Sequence, residues 1–307
     1  MRRHDQCPLL DFVLVNFGFT LRATDMDSPS LSRRPTAEVV PITRLLDLGS
    51  HTLSVLALVS FILVLWPLIT GAPVSSKPGW SEAVLVLTAA MATLAALARI
   101  LPGQKVLLVT VVISLLGGLV HGLGAKTAFP FGPFVYSVAA GPQFFNALAW
   151  PIPLIWIIAI LNTRGVAKLM LRPWRKLRSY GFGLIGLTAT LVMLFDLALE
   201  PFAAHANHYW RWLPTKFPVT WYDAPLVNFL GWLLTALLIL VFTTPALTLK
   251  TSRARKSRVD YHPLVVWLLL LTLFATSAFR NQLWTAAGLC VLTGIATAIF
   301  AVRGARW

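Results

Sequence analysis

Long apolar blocks separated by short polar ones run along the chain from about residue 48 to its end. Eight blocks can be marked, at 48–70, 82–101, 104–124, 141–162, 181–200, 226–247, 263–279 and 283–302. Each is near the roughly 20 residues a helix needs to cross the hydrocarbon core of a bilayer. In lipid only helices or closed barrels satisfy every backbone group, and blocks this long and apolar predict helices. The fold class read from this pattern is all-α, a polytopic transmembrane helix bundle of about eight spans covering residues 48–307. Residues 1–47 differ, being polar, Ser/Pro-containing and rich in arginine. They read as a loosely ordered basic tail. The apolar stretch from Pro8 to Leu21 is too short to span and carries Asp11. No small-residue cleavage site follows it, so no signal peptide is expected. Met26 is an alternative start.

Composition agrees with the pattern. Hydrophobic residues make up 57% of the chain and charged ones 12%, against ~25% charged in soluble domains. The mean hydropathy is +0.74. Many of the 12 tryptophans fall near block ends, where their amphipathic rings suit the membrane interface. A net charge of +15 would point to nucleic acid in a soluble protein. Here the basic residues lie between apolar blocks, so they report topology and no nucleic-acid partner is expected. With eight spans, Lys and Arg fall 21 on one side and 5 on the other. By the positive-inside rule the richer side, with both termini, is cytoplasmic. That predicts a multi-pass protein of the cell's inner (plasma) membrane. Cys7 and Cys290 have neither metal-ligand spacing nor a disulfide framework. No internal repeat is visible.

Chemistry has few places to reside. Of eleven acids, four lie beyond Glu82: Asp196, Glu200, Asp223 and Asp260. Asp260 sits among basic residues and balances them. Asp196 and Glu200 are four apart at the end of the fifth block. On a helix both share a face, about 6 Å apart along the axis. An acid inside a span costs ~2.5–3.5 kcal/mol on insertion scales, so its default reading is functional and turned toward the bundle interior. Two acids this close in a low dielectric do not readily carry two charges. A carboxyl that keeps its proton is suited to general acid catalysis. The bland alternative is a polar pair that hydrogen-bonds across helices. Pro201 follows directly and marks the expected helix end.

His205 and His208, three apart, could ligate a metal if helical, but six histidines in all are too few for a membrane di-iron oxidase. The aromatic run that follows, Tyr209-Trp-Arg-Trp212, is expected at the interface. The loop Phe129-Pro-Phe-Gly-Pro-Phe-Val-Tyr136 is held rigid by glycine and two prolines. Its aromatics are suited to line an apolar slot. A further loop, Trp221-Tyr-Asp-Ala-Pro-Leu-Val-Asn228, ends just inside the sixth block, where an amide needs partners.

Four pieces in this order carry a resemblance: Phe129-Pro-Phe-Gly132 with Tyr136; Gly141-Pro142 and the Pro/Trp-rich stretch through Trp156; Asp196-Leu-Ala-Leu-Glu-Pro201; and Pro225-Leu-Val-Asn-Phe-Leu-Gly-Trp232. Together they resemble the carotenoid biosynthesis membrane protein family of the γ-carotene 1′,2′-hydratase and bisanhydrobacterioruberin hydratase type, over about residues 50–300. The resemblance implies a lyase that hydrates the terminal C1,2 double bond of an acyclic carotenoid end, without cofactor or redox metal. It implies an apolar carotenoid or isoprenoid substrate, contact with membrane lipid and association with other carotenoid enzymes. Asp196 and Glu200 are the expected catalytic pair, one donating the proton and the other orienting water. Substrate contacts are expected from Phe131, Gly132, Tyr136, Trp156, Tyr222, Asn228 and Trp232. The sequence departs from the family pattern at His121, where an acid is common, and at Met193-Leu-Phe-Asp196, where an aromatic is displaced. His121 is therefore read as a proton relay and a third catalytic residue.

The alternative is a non-enzymatic binding or transport protein for an apolar lipid or carotenoid. Transporters commonly show repeats and broken mid-membrane helices; the sequence displays neither. The charge asymmetry yields a direct prediction. A topology reporter fused after Leu213 reads outside, and one after Arg253 reads inside; the reverse pattern overturns the orientation.

Overall fold

The computed structural model describes residues 42–71, 80–215, 219–248 and 259–307. Residues 1–41 of the expected tail lie outside them. Among the described residues eight helices are long and apolar enough to cross a membrane. They are α1 (Ile42–Thr70), α2 (Trp80–Ala98), α3 (Gly103–Thr127), α4 (Ile152–Met170), α5 (Tyr180–Glu200), α6 (Leu226–Leu247), α7 (His262–Arg280) and α8 (Trp284–Ala305). α1 begins ahead of the apolar block at 48, within the stretch read as tail.

α4 is the central post. Most of its apolar window, 72%, is buried inside the protein, against 17% for α1. It packs on α2, α3, α5, α7 and α8. This position explains why its bounds depart from the fourth apolar block at 141–162. Pro142, Pro151 and Pro153 lack the N–H that a helix interior requires, so the helix starts only at Ile152 with Pro153 in its first turn. The preceding residues form a short hairpin, β2 (Gln143–Phe144) paired with β3 (Leu148–Ala149). At the other end α4 continues through Asn162, Thr163 and Arg164 to Met170. These residues face protein, not lipid. Asn162 Nδ2 donates to Thr93 Oγ1 of α2 at 3.0 Å and to the Ile158 carbonyl at 2.8 Å. Thr163 Oγ1 donates to the Ala159 carbonyl at 2.7 Å.

Pro201 ends the α-helix as expected, but not the fifth span. The path runs on through a π-helical turn, Pro201–Ala206. A proline removes one α-type bond, and wider i→i+5 turns absorb such irregularities. The segment between α3 and α4 also carries β1 (Phe134–Tyr136), and after the π turn comes β4 (Trp210–Trp212). β1 and β4 pair antiparallel, with Phe134 opposite Trp212 and Tyr136 opposite Trp210. A further pair, β5 (Thr220–Trp221) with β6 (Ala224–Pro225), leads into α6.

The ribbon and the loop before it are seated by small residues. Phe131 is wedged between α3 and α6. A Cβ on Gly124 would lie 2.6 Å from Phe131 Cδ2, and one on Gly231 would lie 2.7 Å from Phe131 Cδ1. Gly132 adopts φ +98°, and a Cβ there would meet Pro225 Cγ at 2.7 Å. Elsewhere Gly304 of α8 abuts the Leu169 carbonyl of α4, and Trp267 Nε1 of α7 donates to Thr297 Oγ1 of α8 at 2.9 Å. Small residues that let helices approach closely are the usual adhesive within a bilayer.

This packing reverses the sign of an ordinary helix substitution. Gly→Ala in a helix normally gains up to ~1 kcal/mol. Gly231→Ala instead displaces Phe131 and lowers stability by about 1–3 kcal/mol, read as a fall in Tm of the detergent-solubilised protein. An unchanged or raised Tm contradicts the wedge.

Candidate active site

Asp196 and Glu200 project from the last turns of α5, and Asn228 from the first turn of α6. The three are 0%, 2% and 2% exposed. α5 and α6 pack side by side, so the amide meets both acids. Asn228 Nδ2 donates to Asp196 Oδ2 at 2.6 Å and to Glu200 Oε1 at 3.2 Å. The other Glu200 oxygen, Oε2, accepts from Trp210 Nε1 at 3.2 Å and from Trp212 Nε1 at 3.0 Å. Both oxygens of Glu200 are therefore engaged, whereas Asp196 Oδ1 has no hydrogen-bond partner among the described residues.

The β1–β4 ribbon closes over this end of the bundle. Side chains alternate along a strand, which turns Phe134, Tyr136, Trp210 and Trp212 to the buried face and Val135 and Arg211 outward. Phe134 packs at 5.5 Å from Trp212 and 5.2 Å from Tyr136, centroid to centroid. The Tyr136 hydroxyl is buried and has no hydrogen-bond partner among the described residues. Burial pushes the Tyr136 phenol above its ordinary range. Tyr136 thus stays a neutral hydroxyl, able both to donate and to accept.

His121 enters from the far end of α3. Its Nδ1 accepts from Trp156 Nε1 at 3.1 Å, since an indole N–H can only donate. Its ring lies 4.3 Å from Phe131 and 5.3 Å from Trp232. Trp156 and Trp232 stack at 4.3 Å. Between these groups is a cavity of about 20 Å³ whose walls include His121, Tyr136, Glu200 and Asn228, with Phe131, Phe134 and Trp232 among the rings. A cavity needs roughly 10–15 Å³ of this kind to hold one water, with two to four polar partners. The site is thus the size of a single water and carries the polar groups to hold it.

Six of the ten residues singled out from sequence line this cavity: His121, Phe131, Tyr136, Glu200, Asn228 and Trp232. Asp196 lies behind Asn228 and reaches the cavity through the amide. Trp156 supports His121 and Trp232 from behind. Gly132 contributes backbone geometry. Tyr222 stands apart. Its hydroxyl pairs with Thr285 Oγ1 of α8 at 2.5 Å, and its ring borders a separate, polar cavity. His205 and His208 are exposed. His205 faces Asp223 at 3.9 Å, and among the described residues no three His, Cys, Asp or Glu side chains gather as a metal-binding group.

Trp210 and Trp212 are the main omission of the sequence reading, which sent them to the interface. They are buried, and their indole N–H groups serve Glu200. The signal was present in the Trp-Arg-Trp alternation, which matches Phe-Val-Tyr in β1. Alternation in two short segments announces a ribbon with one buried face.

A family model described as carotenoid biosynthesis protein matches residues 81–297. The bisanhydrobacterioruberin hydratase of Haloarcula japonica is 32% identical over 112 residues. That match covers 36% of this chain and 36% of the relative, so the chain spans about a third of the length of the relative it matches. No solved structure matches the chain.

The shared amide makes a stability prediction. Asn228→Leu leaves both carboxyls short of a donor and lowers stability by about 1–3 kcal/mol. Removing Asp196 as well, in Asn228→Leu/Asp196→Leu, costs less than the sum of the two single changes, because no acid is then orphaned at that position. Thermal unfolding of the three variants in detergent decides it; strict additivity contradicts the bridge.

Proposed function

The chain belongs to the carotenoid biosynthesis protein family, and from that premise we propose that it adds water across the terminal C1,2 double bond of an acyclic carotenoid end group. The observation that carries this reading is the one-water cavity, in which Glu200, Asn228, Tyr136 and His121 meet inside an otherwise aromatic surround. Hydration of a trisubstituted alkene needs an acid, a held water and walls that tolerate a carbocation. The acid, room for one water and aromatic walls occur together here.

Glu200 is the proton donor in this proposal, because it borders the cavity while Asp196 does not. Its proton moves to C2, and the C1,2 π pair becomes the new C–H bond. The tertiary cation at C1 forms beside the cavity whose walls include Phe131, Phe134 and Trp232, and aromatic rings attract positive charge. The carboxylate left on Glu200 keeps three N–H donors, from Trp210, Trp212 and Asn228. Donors already aimed where charge develops need no reorganisation during the step. Water held by Tyr136 and Asn228 then bonds to C1, and the oxonium proton returns to Glu200. His121 borders the same cavity; with Nδ1 accepting from Trp156, its Nε2–H is a donor that helps orient the water. The product is a tertiary alcohol, and the enzyme ends as it began.

The charge asymmetry supports placing this site at the outer face of the cell's inner membrane with both termini cytoplasmic. Substrate and product both dissolve in lipid, which favours working beside other carotenoid enzymes in the same bilayer.

Expression in a host that makes lycopene or γ-carotene tests the reading. Wild type yields a product heavier by one water. Glu200→Gln lowers its formation about 100-fold or more, and Tyr136→Phe lowers it about tenfold, the equivalent of one hydrogen bond. Absence of any hydrated product from wild type, or equal yields from wild type and Glu200→Gln, refutes the proposal.

A further inference from the structure

Three cavities meet at one side chain. Trp210 borders the one-water cavity, an apolar cavity of about 310 Å³ and an open, more polar cavity of about 960 Å³. Ile152 also separates the apolar cavity from the acid, and Tyr136 and Trp212 also separate the polar one. The acid pocket thus has an oily neighbour on one side and a more polar neighbour on the other.

The apolar cavity is walled by Leu85, Ala89, Phe195, Leu199, Phe202 and Phe274, among others, from α2, α5, the π turn and α7. Its volume sits at the small end of the roughly 300–1,000 Å³ typical of small-molecule sites. It therefore suits one end of a long polyene and not the whole of it. Its rim includes Trp80 and Val138, 68% and 90% exposed. Trp80 opens α2 at a span end, so the rest of the polyene can lie along lipid outside. The polar cavity is bordered by Ser137, His205, Arg211 and Asp223, groups that hydrogen-bond water and repel a hydrocarbon.

We propose that the two reactants arrive from opposite sides of Trp210: the isoprenoid end is seated in the apolar cavity and reaches Glu200 past Ile152 and Trp210, while water comes from the polar cavity past Tyr136 and Trp212. This rests on the hydration reading of the same site. Trp210 is then a positioning residue with two duties. Its ring is the partition, and its N–H holds Glu200 Oε2. The isoprenoid end passes the ring on its Ile152 side, so both indole N–H groups keep their bonds to that oxygen.

The π turn supplies a matched pair of probes. Consecutive residues face opposite cavities: Ala203 borders the apolar one and Ala204 the polar one. The full chain is purified from lycopene-producing cells, and both retained pigment per protein and hydrated product are measured. Ala203→Phe fills the seat and retains at least tenfold less pigment than wild type. Ala204→Phe retains the wild-type amount but forms at least tenfold less product. Ala89→Leu, a smaller change on the opposite wall, repeats the pigment loss should Ala203→Phe fail to fold. Wild-type pigment in both Ala203→Phe and Ala89→Leu overturns the seat. Wild-type product from Ala204→Phe overturns the water route. A wild type that retains pigment yet never hydrates it refutes the hydration reading and the water route with it; the seat is then judged by pigment alone.

Discussion

Two carboxyls buried at one end of a helix bundle set the terms for everything around them. Each would cost ~2.5–3.5 kcal/mol if left in lipid, and no bulk water reaches them. They are kept by four N–H contacts, two from the Asn228 amide and one each from Trp210 and Trp212. Hydrogen bonds contribute ~0.5–1.5 kcal/mol apiece, more where an acid carries charge, and so offset part of the burial cost. The donors come from two separate segments, α6 and β4. The register between α5 and α6, and the seating of the β1–β4 ribbon, are therefore all constrained by the same pair of acids.

Packing serves that constraint. Phe131 fits only because Gly124 and Gly231 leave room for it, and the residues after it lead straight into β1. The ribbon is short, yet its alternation puts two indole N–H groups beside Glu200 and a phenol in the cavity wall. The π turn after Glu200 carries the chain from α5 toward β4 while presenting Ala203 and Ala204 to different cavities. Irregular backbone at this depth is tolerated where protein, not lipid, surrounds it.

The proposed hydration draws on the separation of environments. A general acid is most useful where water is scarce, and a cation survives longest among rings. Hydration also requires one water at the right place. On that proposal, a single-water cavity between an apolar chamber and a more polar one meets all three needs without exposing the acid to solvent.

Hydropathy alone determined the all-α class and the eight spans, because lipid imposes the same length and backbone rule on every helix that crosses it. The i, i+4 spacing of Asp196 and Glu200, and the need of Asn228 for a partner, were equally legible, since buried polar groups in apolar segments are conspicuous. Tertiary structure decided what local pattern does not encode. α4 runs past Asn162–Arg164 because protein encloses it, a fact about its neighbours. Pro201 continues the helical path because the π turn finds a place in the packing. Trp210 and Trp212 serve an acid and not the interface because β1 pairs with β4 across 70-odd residues of chain. Glu200, not Asp196, faces the cavity because Asn228 stands between them, and only the packing of α6 on α5 puts it there.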